Sequence, residues 1–372
     1  MKLTIEKSTL LKALGHVQTV VERRTVTPIL ANVLLEATEG KLKLTATDLD
    51  ISIQEEVTAK IQQKGSTTVS AHTFYDIARK LPDGAEVELS HDQGSGKFHI
   101  SAGRTNFDLP SLPAEDFSNI KTSDFPHNFV ITSEELRHLL ASTRFAMSTE
   151  EARYYLNGIY LHVKKVESET FLRTVATDGH RLAMSEIPEP DGADGMPDVI
   201  IPRKTIAEAT KLLENREGNV KVSLSHTQIA FNLGHVQITS RLIDGAFPDY
   251  EKVIPYDNQS VLTISRKSFA EAVDRIATIS SDKTRSIKIT IESNKVQVSV
   301  SNSDQGSGAE EIEATYGGKR MNIGFNARYV LDICQQVESD TLKFLLADET
   351  APAIIRGLED EGSLYVLMPM RV

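Results

Sequence analysis

The sequence predicts an α+β fold of three repeated domains, each built of antiparallel sheet with two helices. Three observations predict it. One order of elements occurs three times, the copies lie at near-constant spacing, and the helices of each copy carry a single apolar stripe. Chance reproduces a pair of similar tripeptides; it does not also reproduce a helix–hairpin–helix order three times.

Each copy opens with a short strand and an amphipathic helix. The first carries Leu10, Leu11, Leu14 and Val17, the second Leu136, Leu139, Leu140 and Thr143, the third Phe269, Ala272, Val273 and Ile276. This i, i+3/i+4, i+7 spacing buries one face of a helix. Thr132 with Glu135 fits a capping box ahead of the second. Alternating hairpins follow: Asn32–Leu35 with Lys41–Thr45, Ile159–Val163 with Leu172–Ala176, and Ile287–Ile291 with Lys295–Val300. A second helix then comes in each copy, at Thr73–Leu81, Lys204–Leu213 and Asn326–Val337. First helices begin near Lys7, Ser133 and Arg266, steps of 126 and 133 residues. Ala46-Thr47-Asp48 recurs as Ala176-Thr177-Asp178, with an echo at Asn302-Ser303-Asp304. Turn formers and prolines at Asp116–Asn128 and Ala246–Asn258 place the boundaries, giving domains 1–122, 123–254 and 255–372.

At 372 residues the chain exceeds one ordinary core, as three domains require. No run of eighteen apolar residues offers a membrane span. Met1–Glu6 reads as a first strand, without the apolar run and cleavage site of a signal peptide. Cys334 stands alone, excluding an internal disulfide or a cysteine-built metal site. It reads as a half-buried helix residue facing Val330 and Val337. A cytoplasmic protein is expected.

The net charge of −11 argues against a chain that wraps nucleic acid with its whole surface. Basic residues nevertheless gather on the helices: Lys7, Lys12, Arg23 and Arg24 at the first, Arg79 and Lys80 at the second, Arg137 and Arg144 at the third. Arg203, Lys204 and Lys211 mark the fourth, and Arg266, Lys267, Arg275, Lys283 and Arg285 surround the fifth. Two readings are open: ordinary solvated cations, or one face presented to phosphates, binding duplex without reading its bases. Six domains of ~30 Å in a hexagon leave an opening of ~15 Å radius, wide enough for B-DNA of roughly 10 Å radius. Three domains leave almost none, so one chain cannot encircle duplex and two can.

Four segments carry a family resemblance: Arg153-Tyr154-Tyr155-Leu156-Asn157-Gly158, Thr174-Val175-Ala176-Thr177-Asp178-Gly179-His180-Arg181-Leu182, Phe247-Pro248-Asp249-Tyr250, and Tyr365-Val366-Leu367-Met368-Pro369-Met370-Arg371. With these the whole chain resembles the bacterial β sliding clamps, the β subunits of DNA polymerase III. The resemblance implies a DNA clamp fold: a head-to-tail homodimeric ring with helices lining the central hole. It implies a non-catalytic processivity factor with no cofactor and no metal. The implied partners are duplex DNA, a clamp loader, the replicative DNA polymerase and other proteins bearing a clamp-binding motif.

By resemblance, Arg24, Tyr154, Tyr155, Arg203 and Lys204 occupy DNA-contacting positions. For the two tyrosines a core role is equally open, given their apolar neighbours. The pocket for partner peptides maps onto Leu156, Thr177, Gly179, His180, Arg181, Leu182, Pro248, Val253, Asn326, Tyr329, Pro352, Val366, Met368, Pro369, Met370 and Arg371. Methionines suit a surface that accepts many related peptides; His180, Arg181 and Asn326 are expected to fix a peptide backbone. Met368 and Met370 also fit a plain core strand. Ring closure maps onto Arg104, Phe107 and Leu109 on one side and Thr278 and Ile279 on the other. Thr278 stands where a well-known member has an apolar residue, a loss of roughly 1 kcal/mol of burial. Val372 stands where leucine is usual.

Two other classes of protein fit parts of the sequence less well. Asp178-Gly179-His180-Arg181 sets a carboxylate near an imidazole, but no G-x-S-x-G elbow, P-loop or H-E-x-x-H motif accompanies it. Gln93-Gly94-Ser95-Gly96 and Gln305-Gly306-Ser307-Gly308 read as hairpin loops, not phosphate cradles, and the histidines lack metal-ligand spacing. A scaffold of the same architecture that never meets DNA is the third class, and it need not place cations on every repeat's helices.

Overall fold

The computed structural model describes residues 1–23, 25–92, 94, 96–121, 124–280 and 285–371. Among these are six α-helices, two per repeat: α1 (Lys7–Val17), α2 (Ala71–Lys80), α3 (Ser133–Arg144), α4 (Arg203–Leu213), α5 (Arg266–Ala277) and α6 (Ala327–Gln336). Each first helix follows a strand directly, at Lys2–Glu6, His127–Thr132 and Ser260–Ser265. The α1 stripe is Leu10, Ala13, Leu14 and Val17, all fully buried; Leu11, expected within it, is half-buried off its edge. The capping box forms: Thr132 Oγ1 accepts the Glu135 N–H at 3.1 Å, and the Glu135 carboxylate accepts the Thr132 N–H at 3.1 Å. Thr143 tolerates complete burial because its hydroxyl donates to the Leu139 carbonyl at 2.8 Å. Asn326, expected inside the sixth helix, is its N-cap and accepts the N–H groups of Arg328 and Tyr329.

Among the described residues the strands form two antiparallel sheets of thirteen and twelve strands. In the first, the middle repeat's strand Val236–Arg241 pairs with Ile51–Thr58 of the first repeat, Ile238 opposite Ile53. In the second, Arg181–Pro188 of the middle repeat pairs with the terminal strand Ser363–Leu367, Leu182 opposite Val366. Each sheet therefore runs on across a repeat boundary. Packing density divides the chain into two compact units accordingly. One is Met1–Leu136, Pro190–Pro197 and Lys204–Leu242; the other is Arg137–Glu189, Asp198–Arg203 and Ile243–Val372. The middle repeat contributes one sheet segment to each.

The repeated Ala-Thr-Asp triplet acquires a structural reason. In the first unit, Asp48 Oδ1 accepts the N–H groups of Asp50 and Ile51, while the Thr47 hydroxyl donates to the Ile51 carbonyl. In the second unit, Asp178 Oδ1 accepts from His180 and Arg181, and Thr177 donates to the Arg181 carbonyl. Both turns need a left-handed residue after the aspartate. Gly179 supplies it at φ +87°; Leu49 adopts it at φ +78° with a side chain in the way. Leu49→Gly is therefore expected to stabilise the first unit by roughly 0.5–1 kcal/mol, strain relief exceeding the added chain entropy. A melting midpoint lower than that of the wild type would contradict this.

The boundary stretch 246–258 holds the 3₁₀ turn Tyr250–Val253, and Tyr250 and Ile254 are buried in a core cluster. Cys334 is 3 % exposed, not half-buried, and desolvation pushes its thiol up to about 12. Of Gln305-Gly306-Ser307-Gly308, read as a hairpin loop, only Gln305 lies in the turn 303–305; Gly306, Ser307 and Gly308 begin the strand Gly306–Tyr316, paired with Asn302, Ser301 and Val300. Gln93 and Ser95 lie outside the described residues.

Candidate peptide pocket, nucleic-acid face and closure edges

The pocket positions all fall in the second unit. Their floor is apolar: Val175, Leu182, Met184, Tyr250, Ile254, Ile354 and Val366 form one buried cluster, with Tyr160, Phe247, Leu345 and Leu364 packed against it. Strand alternation aims Leu182 and Val366 at the same side of the sheet. Above the floor the chain leaves apolar surface uncovered. Val253 is 45 % and Met368 38 % exposed, Pro248 is exposed, and Pro352, Pro369 and Met370 are half-buried. Met368 and Met370 are thus not core residues. Their backbone ties the tail down instead, with the Met368 N–H donating to the His180 carbonyl at 3.0 Å and the Met370 N–H to the Gly324 carbonyl at 2.8 Å.

Arg181 builds the wall. Its Nε donates to Asp178 Oδ2 at 3.1 Å, one Nη to Asp332 and the other to the Phe145 carbonyl at 2.7 Å. Its guanidinium lies over the Tyr329 ring at 4.2 Å and the Phe145 ring at 5.0 Å. Only 9 % of this side chain is exposed. Arg181 therefore shapes the site and is not a free donor to a peptide backbone, and the Asn326 oxygen is engaged as a helix cap. Burial pushes the Tyr329 hydroxyl up, with the Asp178 charge adding to it, so that ring stays neutral. Leu156 is buried at the end of the 3₁₀ turn Glu151–Leu156, Thr177 is half-buried, and Gly179, His180 and Arg371 are exposed. The Asp178 carboxylate is committed to two backbone amides and to Arg181, which leaves it no acid–base partnership with the His180 ring.

Beside the floor lies a titratable group that sequence reading missed. His162, 5 % exposed, stacks on Tyr160 at 4.5 Å, and its Nε2 stands 3.1 Å from the Tyr250 hydroxyl. Burial holds the imidazole below its ordinary value, with Arg173 and Lys164 pushing the same way against Asp198 and the Val163 carbonyl. The folded state then resists a proton that the unfolded chain accepts below about 6.5. Stability that is present above that pH is lost as the pH falls through it. Between about pH 7 and 5 the wild-type melting midpoint should drop more steeply than that of His162→Phe, which keeps the stack and removes the titration. Parallel slopes would contradict this.

The nucleic-acid positions are placed differently from one another. Tyr154 is 54 % exposed and meets Tyr155 edge-on at 5.8 Å, so it is not a core residue. Gly245 backs the pair: a methyl group added there would stand 3.0 Å from Tyr155 Cβ. Arg203 is half-buried and donates to the carbonyls of Met147 and Ser148; burial lowers its pKa. In the first unit, Lys204 Nζ binds the Asp48 carboxylate and, at 2.9 Å, the Val20 carbonyl. Arg24 and Lys283 lie outside the described residues. Lys7, counted among the helix cations, is buried and pairs with Asp83 at 2.6 Å. Lys12, Lys80, Arg137 and Arg144 stand exposed.

Closure positions sit beside open strand edges. Thr105–Leu112 pairs with Lys97–Ala102 from Thr105 to Pro110, but with Gly65–Ser70 only at Ser111 and Leu112. Arg104 and Phe107 are exposed there and Leu109 is half-buried. In the second unit, Gly306–Tyr316 pairs with Lys295–Asn302 from Gly306 to Glu313, and with Ser260–Ser265 only at its far end. Ile279, half-buried, lies over Gly308; Thr278 is exposed and donates weakly to the Asp274 carbonyl at 3.4 Å. Each unit thus offers backbone donors and acceptors with no strand beside them among the described residues.

Repeated sheets, an apolar floor under an adaptable rim and open edges define a binding protein assembled from internal repeats. Comparison with known proteins makes this specific. Residues 1–121, 130–249 and 251–371 match the family models of the DNA polymerase III beta subunit N-terminal, central and C-terminal domains. The Beta sliding clamp of Caulobacter vibrioides is 50 % identical over 372 residues, the whole of both chains. A DnaN sliding clamp from Bartonella birtlesii, solved bound to griselimycin, superimposes with a TM-score of 0.97 at 48 % identity, covering all of both chains. The C. crescentus beta sliding clamp gives 0.96 at 50 % identity, covering 100 % of this chain and 99 % of that one. The chain belongs to the DNA polymerase III beta subunit family, the beta sliding clamps. It has the family's three-domain fold and is a processivity factor without catalysis of its own. No helix among the described residues is long and apolar enough to cross a membrane.

Proposed function

We propose that two copies of this chain pair head to tail into a ring that encircles duplex DNA in the cytoplasm. A clamp loader opens and closes the ring. Its domains are 1–122, 123–254 and 255–372, and its helices face the hole. The observation that carries the reading is the pair of open strand edges, each flanked by an apolar side chain, exposed Phe107 at one and half-buried Ile279 at the other. Strand pairing across two subunits satisfies both edges at once. Arg104, Phe107 and Leu109 of one copy then meet Thr278 and Ile279 of the other.

Within the hole, Tyr154, Tyr155, Arg203, Lys204 and Arg24 contact backbone phosphates and sugars without reading sequence. In the free protein Lys204 is neutralised by Asp48, so DNA must draw it from that ion pair. Lys12, Lys80, Arg137 and Arg144 supply further diffuse positive charge. The pocket of Leu156, Thr177, Gly179, His180, Arg181, Leu182, Pro248, Val253, Asn326, Tyr329, Pro352, Val366, Met368, Pro369, Met370 and Arg371 takes short apolar segments of the replicative polymerase and other clamp-motif proteins. Support comes from the continuous floor beneath exposed Met368 and Val253.

Light scattering coupled to size exclusion tests closure. The mass expected is twice 41.1 kDa, persisting on dilution. A monomer at every concentration would contradict it, since one chain cannot surround duplex.

A further inference from the structure

The segment bearing Tyr154 and Tyr155 touches the turn that bears Arg181, and one side chain makes the contact. Arg153 interrupts the 3₁₀ turn Glu151–Leu156 with φ −111° and ψ 49°. Its guanidinium is held in a fork by Glu150, Nε to Oε2 at 2.9 Å and Nη2 to Oε1 at 2.6 Å. The remaining Nη1 lies so close over Gly179 that a methyl group added there would stand 2.7 Å from it. Gly179 is the left-handed residue of the Thr177–Arg181 turn, so its backbone sets where Arg181 begins. One residue past Arg153 come the exposed tyrosine and its partner, and Leu156 follows them into the core.

We propose that Arg153 is a positioning residue coupling the two faces of the clamp: duplex DNA against Tyr154 and Tyr155 shifts Arg153 on Gly179 and so changes the affinity of the peptide pocket. This rests on the pocket and DNA readings given above and deepens them. A bidentate fork transmits direction as well as charge, which a lysine at the same place does not. Coupling between two binding sites is reciprocal, so an occupied pocket changes DNA affinity by the same factor.

The test uses the full-length dimer, a synthetic peptide carrying a short apolar clamp-motif segment as pocket probe and a short duplex as DNA probe. Calorimetry gives the peptide Kd with and without duplex, and fluorescence anisotropy gives the duplex Kd with and without peptide. The wild type should show shifts of about fivefold, equal in both directions. Arg153→Ala should bind both probes while losing both shifts. Glu150→Gln, which keeps the arginine and weakens its fork, should reduce them, and Arg153→Lys should not restore them. No shift in the wild type, or the same shift in Arg153→Ala, would overturn the coupling. Met368→Ala and Tyr154→Ala keep the underlying readings separable. Unchanged peptide affinity in the former overturns the pocket reading, and unchanged duplex affinity in the latter overturns the DNA reading; the coupling falls with either.

Discussion

Arg181→Ala is expected to abolish peptide capture and to destabilise the second unit by about 3 kcal/mol. Arg181 answers two carboxylates, Asp178 and Asp332, that are only 16 % and 24 % exposed. Removing the guanidinium strands both acids, and the Phe145 carbonyl loses its donor. The figure sits at the low end of the range for broken buried pairs because each acid keeps some water. Two further losses are local: the Tyr329 ring loses the cation over its face, and the Thr177–Arg181 turn loses its inner anchor. Arg181→Ala should therefore unfold at clearly lower urea and fail to retain a short apolar clamp-motif peptide. Arg181→Ala with Asp332→Asn should recover part of the stability but not the binding, since the wall is still missing. A variant as stable as the wild type would contradict the wall role.

Ring closure should be the most sensitive property of the molecule. Ile279→Asp is expected to raise the dimer dissociation constant by at least about a hundredfold, or roughly 3 kcal/mol, by placing a charge where an apolar side chain is buried on pairing. Thr278→Leu should act oppositely, tightening closure by about 1 kcal/mol through added apolar burial. Neither change touches the buried core of the second unit: Thr278 is exposed, and Ile279 rests on Gly308 at its surface. Melting midpoints extrapolated to low protein concentration should stay near the wild type, while sedimentation separates the three proteins by dissociation constant. If Ile279→Asp sediments as a dimer, the closure surface lies elsewhere.

Much of this was legible in the sequence, for a physical reason. The six helices could be placed because an apolar stripe such as Phe269, Ala272, Val273 and Ile276 repeats within a dozen residues and depends on nothing distant. The hairpins were visible for the same reason, with period-two alternation either side of a turn. The Ala-Thr-Asp repeat was seen, but its turn geometry, and the awkward left-handed Leu49 in one copy, needed the backbone. What escaped was whatever depends on partners remote in sequence. Lys7 and Lys12 look alike on a helical wheel, yet Lys7 pairs with Asp83 across 76 positions while Lys12 stays exposed. Arg181 reads as a free cation until Asp332 is found beside it. Arg153 gave no local sign of lying on Gly179. The continuity of each sheet across repeat boundaries likewise rests on pairings such as Ile238 with Ile53 that no local window contains.

The central claim is topological, and the most direct measurement of it is release from DNA. Protein loaded on a nicked circular plasmid would be isolated by gel filtration at moderate salt, and the plasmid then cut once. The account predicts retention on the circle and loss from the linear product, because a closed ring slides off an end while phosphate contacts alone are too weak to hold it. Protein that stays on the linear DNA, or that never remains on the circle, would contradict it.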